Sequence, residues 1–273
     1  MSTKIQIQPC HKIRNKQNVN PATRLKQFVN FAKIYAVKNR NDGVNVISLR
    51  MQRQTSTNNY LCEGNVSITT RSKPTSNPYI PMLLPEILIQ AYLSGSFPMA
   101  DPDENNQIYW HTPAQRGLIP LDHRFKVPKN LARLYRKDVF KTSINREFES
   151  VIRQCAALRP GDTWISEEII EAYCELNRLG LAYSFEVWQN DQLVGGLYGV
   201  ALGKIFCGES MFHTVTDASK IALVFLVEFL REQKFELLDT QYLNHHLVQF
   251  GAYEISQESY MLQINEILNR SLP

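Results

Sequence analysis

Cysteine is scarce and poorly spaced for structural chemistry. Cys10, Cys62, Cys155, Cys174 and Cys207 form an odd, scattered set without a C-x-x-C pair, which excludes a disulfide framework and the common zinc patterns and points to a reducing compartment. Long apolar runs are missing as well. No segment approaches the roughly 18 consecutive apolar residues of a membrane-spanning helix, and residues 1–20 lack the apolar stretch of a secretory signal, so a cytoplasmic protein without membrane association is expected. Among six histidines, only His245 and His246 are adjacent. With no acidic or cysteine partner at ligand spacing they predict no metal site and read as the polar start of a helix. Acidic residues are nearly absent from the first part of the chain: up to Asn77 there are two, against 13 Lys/Arg, a net charge of +11, whereas the remainder carries 17 against 24, a net −7. A basic arm on an acidic body suggests contact with nucleic acid or an anionic surface. An acid-poor leader segment is the competing reading of the same residues.

The rest of the composition is that of a globular chain: 273 residues, 44% apolar and 21% charged, enough to build a sizeable core. Three prolines between Arg71 and Pro81 mark a linker, so the working body begins near Met82. Apolar spacing predicts helices over Leu84–Leu93, Lys129–Lys137, Arg146–Leu158 (capped by Asn145) and Glu167–Leu179 (capped by Ser166 and closed by Gly180). Gly95–Leu121 reads as loops with brief extended pieces. The period then changes. Ser184–Trp188, Leu193–Leu202 and Ile205–Phe212, separated by Asn190-Asp191 and Gly203-Lys204, predict an antiparallel meander. A helix running to Arg231, apolar all round from Ile221 to Leu230 except at Glu228, predicts a buried element. Glu236–Gln241 follows as a strand, Leu243–Phe250 as a short helix and Ser256–Leu268 as a mixed terminal segment. No internal repeat is present, and the element order is that of an α+β fold.

Several features bear on possible chemistry. Gly195-Gly196-Leu197-Tyr198-Gly199 lies in a strand and precedes no helix, so it is not a phosphate loop; glycine there marks a bulge or a close approach of backbone or ligand. On the next strand, Glu209 stands among residues that read as buried and needs a partner, structural or cationic substrate. Asp239 and Gln241 close an apolar strand, and period-two alternation sets them on one face, where one can orient the other; a helix cap is the bland alternative. Lys129, Arg133, Arg136 and Lys137, at offsets 0, 4, 7 and 8, share one helix face, which suits RNA or DNA phosphates or merely a solvated surface. Tyr92, Tyr109, Trp110, Trp164 and Tyr173 are aromatic groups able to stack a base or to fill a core.

At these residues the chain strongly resembles the leucyl/phenylalanyl-tRNA–protein transferase family. The matching segments are Gly95–Asp101, Trp110–Arg116, Gly117–Asp122, Thr163–Ile165, Leu193–Gly203 (L-V-G-G-L-Y-G-V-A-L-G), Gly208–Phe212 (G-E-S-M-F), Ala218–Lys220 and Asp239–Gln241, in one order over roughly residues 82–265. The resemblance implies a small N-terminal domain over residues 78–140 and an acetyltransferase-like (GNAT-like) mixed-sheet domain over 141–273, with residues 1–77 outside it as a basic extension and linker, expected to be poorly ordered. It implies an aminoacyltransferase that moves Leu, Phe or Met from Leu-tRNA or Phe-tRNA to an N-terminal Arg or Lys of a protein, forming a peptide bond and tagging it for N-degron degradation. A monomer with no cofactor and no metal is expected, because an aminoacyl ester is already activated and needs chiefly alignment and proton removal.

By the same resemblance Asp239 and Gln241 form the catalytic pair, Asp239 polarising Gln241; a second assignment gives Asp239 to the acceptor's cationic side chain. Leu197, Phe206, Met211, Leu223, Leu226, Leu230 and Leu238 build the side-chain pocket. Glu209 holds the aminoacyl-adenosine end, Tyr92, Trp164 and Tyr173 surround the adenosine, and Lys129, Arg133, Arg136 and Lys137 bind the tRNA acceptor stem. Met99, Thr240 and His213–Asp217 depart from the family pattern, where Trp, Cys and a Ser-Arg-rich run are usual. A non-catalytic RNA-binding protein is the rival from another class, and an acyl-CoA acetyltransferase is disfavoured by the missing pyrophosphate loop.

Overall fold

The computed structural model describes residues 31–40, 44–52, 64–70 and 83–271 except 138, 159 and 160. The chain divides into two compact units, Met1–Ile80 with Leu272–Pro273, and Pro81–Ser271. Within the first, β1 (Phe31–Arg40), β2 (Val44–Gln52) and β3 (Gly64–Thr70) form an antiparallel sheet in that order. None of these strands was read from the sequence; the linker segment Arg71–Pro81 lies outside the described residues.

The second unit begins with α1 (Pro85–Leu93), whose Pro85 sits in the first turn and which Gly95 ends at φ +78°, a left-handed position that suits glycine. The hairpin β4 (Phe97–Asp101) and β5 (Gln107–His111) and the strand β6 (Gln115–Ile119) resolve the region expected to be loops with extended pieces. Next come α2 (Lys129–Arg136), β7 (Lys141–Ile144), α3 (Phe148–Ala157), α4 (Glu167–Arg178), β8 (Ala182–Gln189), β9 (Gln192–Leu202) and β10 (Ile205–His213). The chain closes with α5 (Ala218–Glu232), β11 (Leu237–Gln241), α6 (His245–Val248), β12 (Tyr253–Ser256) and α7 (Gln257–Ser271).

A seven-stranded sheet in the order β12-β6-β11-β10-β9-β8-β7 organises this unit. The meander β8-β9-β10 is antiparallel, and its turn at Asn190-Asp191 has both residues at positive φ, as a two-residue hairpin twisting with its strands requires. One parallel step, β10 to β11, joins this half to the antiparallel trio β11, β6 and β12. The result is an α+β architecture on a mixed sheet, as expected from the sequence. A Cβ on Gly195 would meet Ala218 of α5, and one on its neighbour Gly196 would meet Val151 of α3. Successive strand residues point to opposite faces, so α5 and α3 cover opposite sides of the sheet.

α5 is buried almost throughout, from Ile221 to Leu230, in keeping with its all-round apolar sequence. The one charged residue in that run, Glu228, is exposed and accepts a hydrogen bond from Tyr135 Oη at 2.7 Å. No helix of the described residues is long and apolar enough to cross a membrane. Ser166 caps α4 by accepting from Ile169 N–H, but Asn145 does not cap α3. The helix starts at Phe148, and Asn145 Oδ1 accepts instead from Ser184 N–H at 2.8 Å, while the Arg146 and Glu147 N–H groups donate to buried Glu186. A carboxylate from the sheet thus stands at the positive end of that helix, where negative charge is stabilised.

Candidate active site

The parallel step is also where the sheet opens. β10 and β11 pair only from Ile205–Leu237 to Cys207–Asp239. Beyond that, β10 shifts register between Gly208 and Ser210, and β11 shifts against β6 between Asp239 and Gln241. Two bulges facing each other spread the strands, since each extra residue bends its strand and re-aims a side chain. Gln241 takes φ +57°, a left-handed conformation costly for a residue with a Cβ. A cavity of about 540 Å³ occupies the opening.

Leu197, Met211, Leu223, Leu226 and Leu238 line this cavity together, as expected. Phe206 and Leu230, placed with them from the sequence, are not among its walls. Phe206 packs edge-on against Phe185 and Phe235, and Leu230 is fully buried, because their strand and helix positions turn them into the layer between α5 and the sheet. Trp164, Phe97, Met99 and Tyr242 supply aromatic and thioether surface, and Lys220, His213 and His246 supply polar groups. Among the described cysteines, Cys155 and Cys207 are buried and Cys174 half-buried, and none lines the cavity.

Glu209, on the β10 bulge, is the only acidic residue among the described residues that line the cavity. Its Oε1 accepts from Gln241 Nε2 at 2.8 Å, a bridge across the gap between the two strands, and its Oε2 accepts from Tyr173 Oη at 3.2 Å. It lies deep in the protein yet keeps part of its surface open to the cavity. Burial pushes its carboxyl up to about 7; the nearby Asp239 carboxylate adds to the rise, and the Tyr92 and Tyr173 hydroxyls hold it back.

Tyr92 and Tyr173, expected around an adenosine, are 2% and 0% exposed and hydrogen-bond each other. They stand behind Glu209 rather than on the cavity wall, so stacking against a base there is closed to them. Of that trio only Trp164 faces the cavity.

Asp239 is fully buried and completely engaged. Its carboxylate accepts from Arg116 Nε at 2.9 Å and Arg116 Nη2 at 2.6 Å, from Tyr260 Oη at 3.0 Å, and from the Gln241 backbone N–H at 2.8 Å. Two expectations change accordingly. The contact with Gln241 runs through the backbone and fixes the bulge, while the Gln241 side-chain amide is held by Glu209. The acceptor's cation cannot reach Asp239 either, because Arg116 already neutralises it. Burial works against the Arg116 charge, but the Asp239 carboxylate outweighs it and the guanidinium pKa is raised. Arg116 also donates from Nη1 to Gly95 O at 2.9 Å and lies over the rings of Phe97 and Tyr260.

Sequence reasoning missed Arg116 as a site residue. A charged side chain on a short strand whose next residues, Gly117-Leu118-Ile119, are glycine and apolar was the available signal. Lys129, Arg133 and Arg136 on α2 and Lys137 at its C-terminal cap are all exposed, with no acidic partner among the described residues.

The mixed sheet thus parts at its one parallel step around an apolar cavity that one carboxylate lines. Residues 118–265 match the profile of the family described as leucyl/phenylalanyl-tRNA protein transferase, and residues 82–114 match that of its N-terminal domain. The leucyl/phenylalanyl-tRNA–protein transferase of Rhodopseudomonas palustris (strain BisB18) is 52% identical over 185 residues, covering 67% of this chain and 80% of that protein. Proteins of the same description from Paramagnetospirillum magneticum (51% over 189 residues; 68% and 90% covered) and Akkermansia muciniphila (48% over 191; 70% and 96%) are similar to it as well. The chain belongs to this family of aminoacyltransferases.

Proposed function

We propose that the protein transfers Leu, Phe or Met from the 3′ end of aminoacyl-tRNA to the N-terminal Arg or Lys of an acceptor protein, acting as a cytoplasmic monomer. The observation that carries this reading is a titratable carboxylate, Glu209, at the floor of a cavity walled by Leu197, Met211, Leu223, Leu226 and Leu238. An unbranched-β apolar side chain suits those walls, and the amino group beside it suits the carboxylate. Trp164 offers a face for the terminal adenosine, and Lys129, Arg133, Arg136 and Lys137 offer cations for acceptor-stem phosphates.

In the reaction the acceptor amine attacks the ester carbonyl, a C–N bond forms, the bond to the ribose 3′ oxygen breaks, and a proton of the amine ends on that oxygen. A free α-amine has a pKa of about 8, so a useful neutral fraction exists near pH 7. A carboxyl poised at about 7 is matched to exchanging that proton. Asp239 and Gln241 act one layer back: Asp239 holds the Gln241 backbone in its bulge, and the Gln241 amide holds Glu209 toward the cavity.

The testing experiment is transfer of radiolabelled leucine from Leu-tRNA to a peptide beginning with Arg, beside a matched peptide beginning with Ala, with Gln241→Ala as control. Transfer to the Arg peptide alone, abolished in the control, is the expected result. Folded protein that binds tRNA tightly without transferring would favour an RNA-binding role instead.

A further inference from the structure

The strands β1, β2 and β3 lie outside both matched profiles, yet their pairing sorts residues by chemistry. Directly opposite residues of an antiparallel pair share a face of the sheet. The register sets Lys33 opposite Arg50, Tyr35 opposite Ser48, Lys38 opposite Val46 and Arg40 opposite Val44, and Ser67 and Thr69 of β3 continue that face. Ile34, Val37, Ile47, Leu49, Val66 and Ile68 take the other face. All four cations of the three strands therefore fall on one side. The two acids of this part of the chain, Asp42 and Glu63, fall between strands.

An antiparallel sheet packs its apolar face and leaves the polar one to water or to a partner. Like charges directly opposite each other, as Lys33 and Arg50 are, destabilise a strand pair, and none of the three strands carries an acid to offset them. A polyanion laid along that face removes the repulsion. We infer that the basic face of β1, β2 and β3 binds the phosphates of RNA, as a contact surface for tRNA in addition to the cations of α2. Beside the cations, Ser48, Ser67 and Thr69 bring hydroxyls of the kind that donate to phosphate oxygens. Phe31, opposite Gln52, and Tyr35 belong to the same face and bring rings of the kind on which unpaired bases stack. RNA is favoured over an anionic membrane because the family's donor substrate is a tRNA. The inference takes from the proposed function only that tRNA is bound.

The test measures binding of uncharged leucine tRNA to the full chain over a range of salt concentrations. Replacing Lys33, Lys38, Arg40 and Arg50 together by Gln should weaken binding at least about tenfold at about 0.1 M salt. It should also flatten the slope of log affinity against log salt by about 3, from about 0.7 to 0.9 for each phosphate no longer neutralised. Lys33→Gln with Arg50→Gln, which removes only the facing pair, should give about half that change of slope. A variant that keeps the charges, Lys33→Arg with Lys38→Arg, should bind as wild type does. Replacing Lys4, Lys12, Arg14 and Lys16, which precede β1, by Gln removes as much charge; an equal loss there would mean that net charge and not the sheet face matters, and would overturn the inference. So would an unchanged slope in the strand variants. Binding to phosphatidylserine vesicles that the strand variants lose, with tRNA affinity intact, would assign the face to membranes and overturn it too. A wild type that binds tRNA through these cations but transfers no leucine would sink the proposed reaction and leave the RNA face standing.

Discussion

Replacing Arg116 by Met tests whether the Arg116–Asp239 pair supports the site from beneath. Both side chains are 0% exposed and meet at 2.6 Å, so removing the cation leaves a carboxylate in the interior without its counter-charge. Breaking a buried pair in this way costs about 3–5 kcal/mol, far more than losing an exposed one. For a unit of this size that corresponds to a fall in melting temperature of about 6–20 °C.

Urea denaturation at pH 7.5, followed by the fluorescence of Trp164 and Trp188, measures the loss directly. The second arm is Arg116→Met combined with Asp239→Asn. Asparagine Oδ1 still accepts from the Gln241 N–H but carries no charge, so the double variant should regain most of the lost stability. If Arg116→Met lies within about 1 kcal/mol of wild type, or the double variant is as unstable as the single one, uncompensated charge is not what makes this position matter.

The charge layout makes two further predictions. The Glu209 carboxyl sits at about 7 in the folded chain against an ordinary 4.5, so the folded state holds its proton longer than the unfolded one. Stability from this group is present below pH about 4.5 and declines as pH rises through 7, by a limit of about 3 kcal/mol. Glu209→Gln, with no proton to lose, should therefore show a loss of unfolding free energy between pH 5 and 8 that is smaller by about 2–3 kcal/mol; parallel curves would refute the burial argument. On α2, reversing Arg133 and Arg136 to Glu should weaken tRNA binding and flatten the slope of log affinity against log salt by about 0.9 for each phosphate no longer neutralised. An unchanged slope would reduce that helix to a solvated face.

Local pattern made much of the architecture legible before any coordinates. β-branched and aromatic residues flanking Asn190-Asp191 specified the meander, since those side chains suit a pleated, half-buried surface and that dipeptide tolerates two positive φ angles. The apolar run Ile221–Leu230 announced a buried helix, and the four cations of α2 announced its exposed face. Chemistry-bearing motifs also singled out Glu209, Asp239 and Gln241, and they lie together.

How those three are wired was decided by tertiary structure. Period two put Asp239 and Gln241 side by side on one face, but the register shift against β6 inserts an extra residue, turns Gln241 to φ +57° and sends its amide to Glu209, 32 residues away. Arg116 reaches Asp239 across 123 residues, and Tyr92 reaches Tyr173 across 81. A sequence window reports which residues share a helix face or a strand face, because helical and strand periods are local. It contains nothing about which remote strand will lie alongside or in what register, and one residue of register decides whether a side chain meets the cavity, the core or a buried counter-charge.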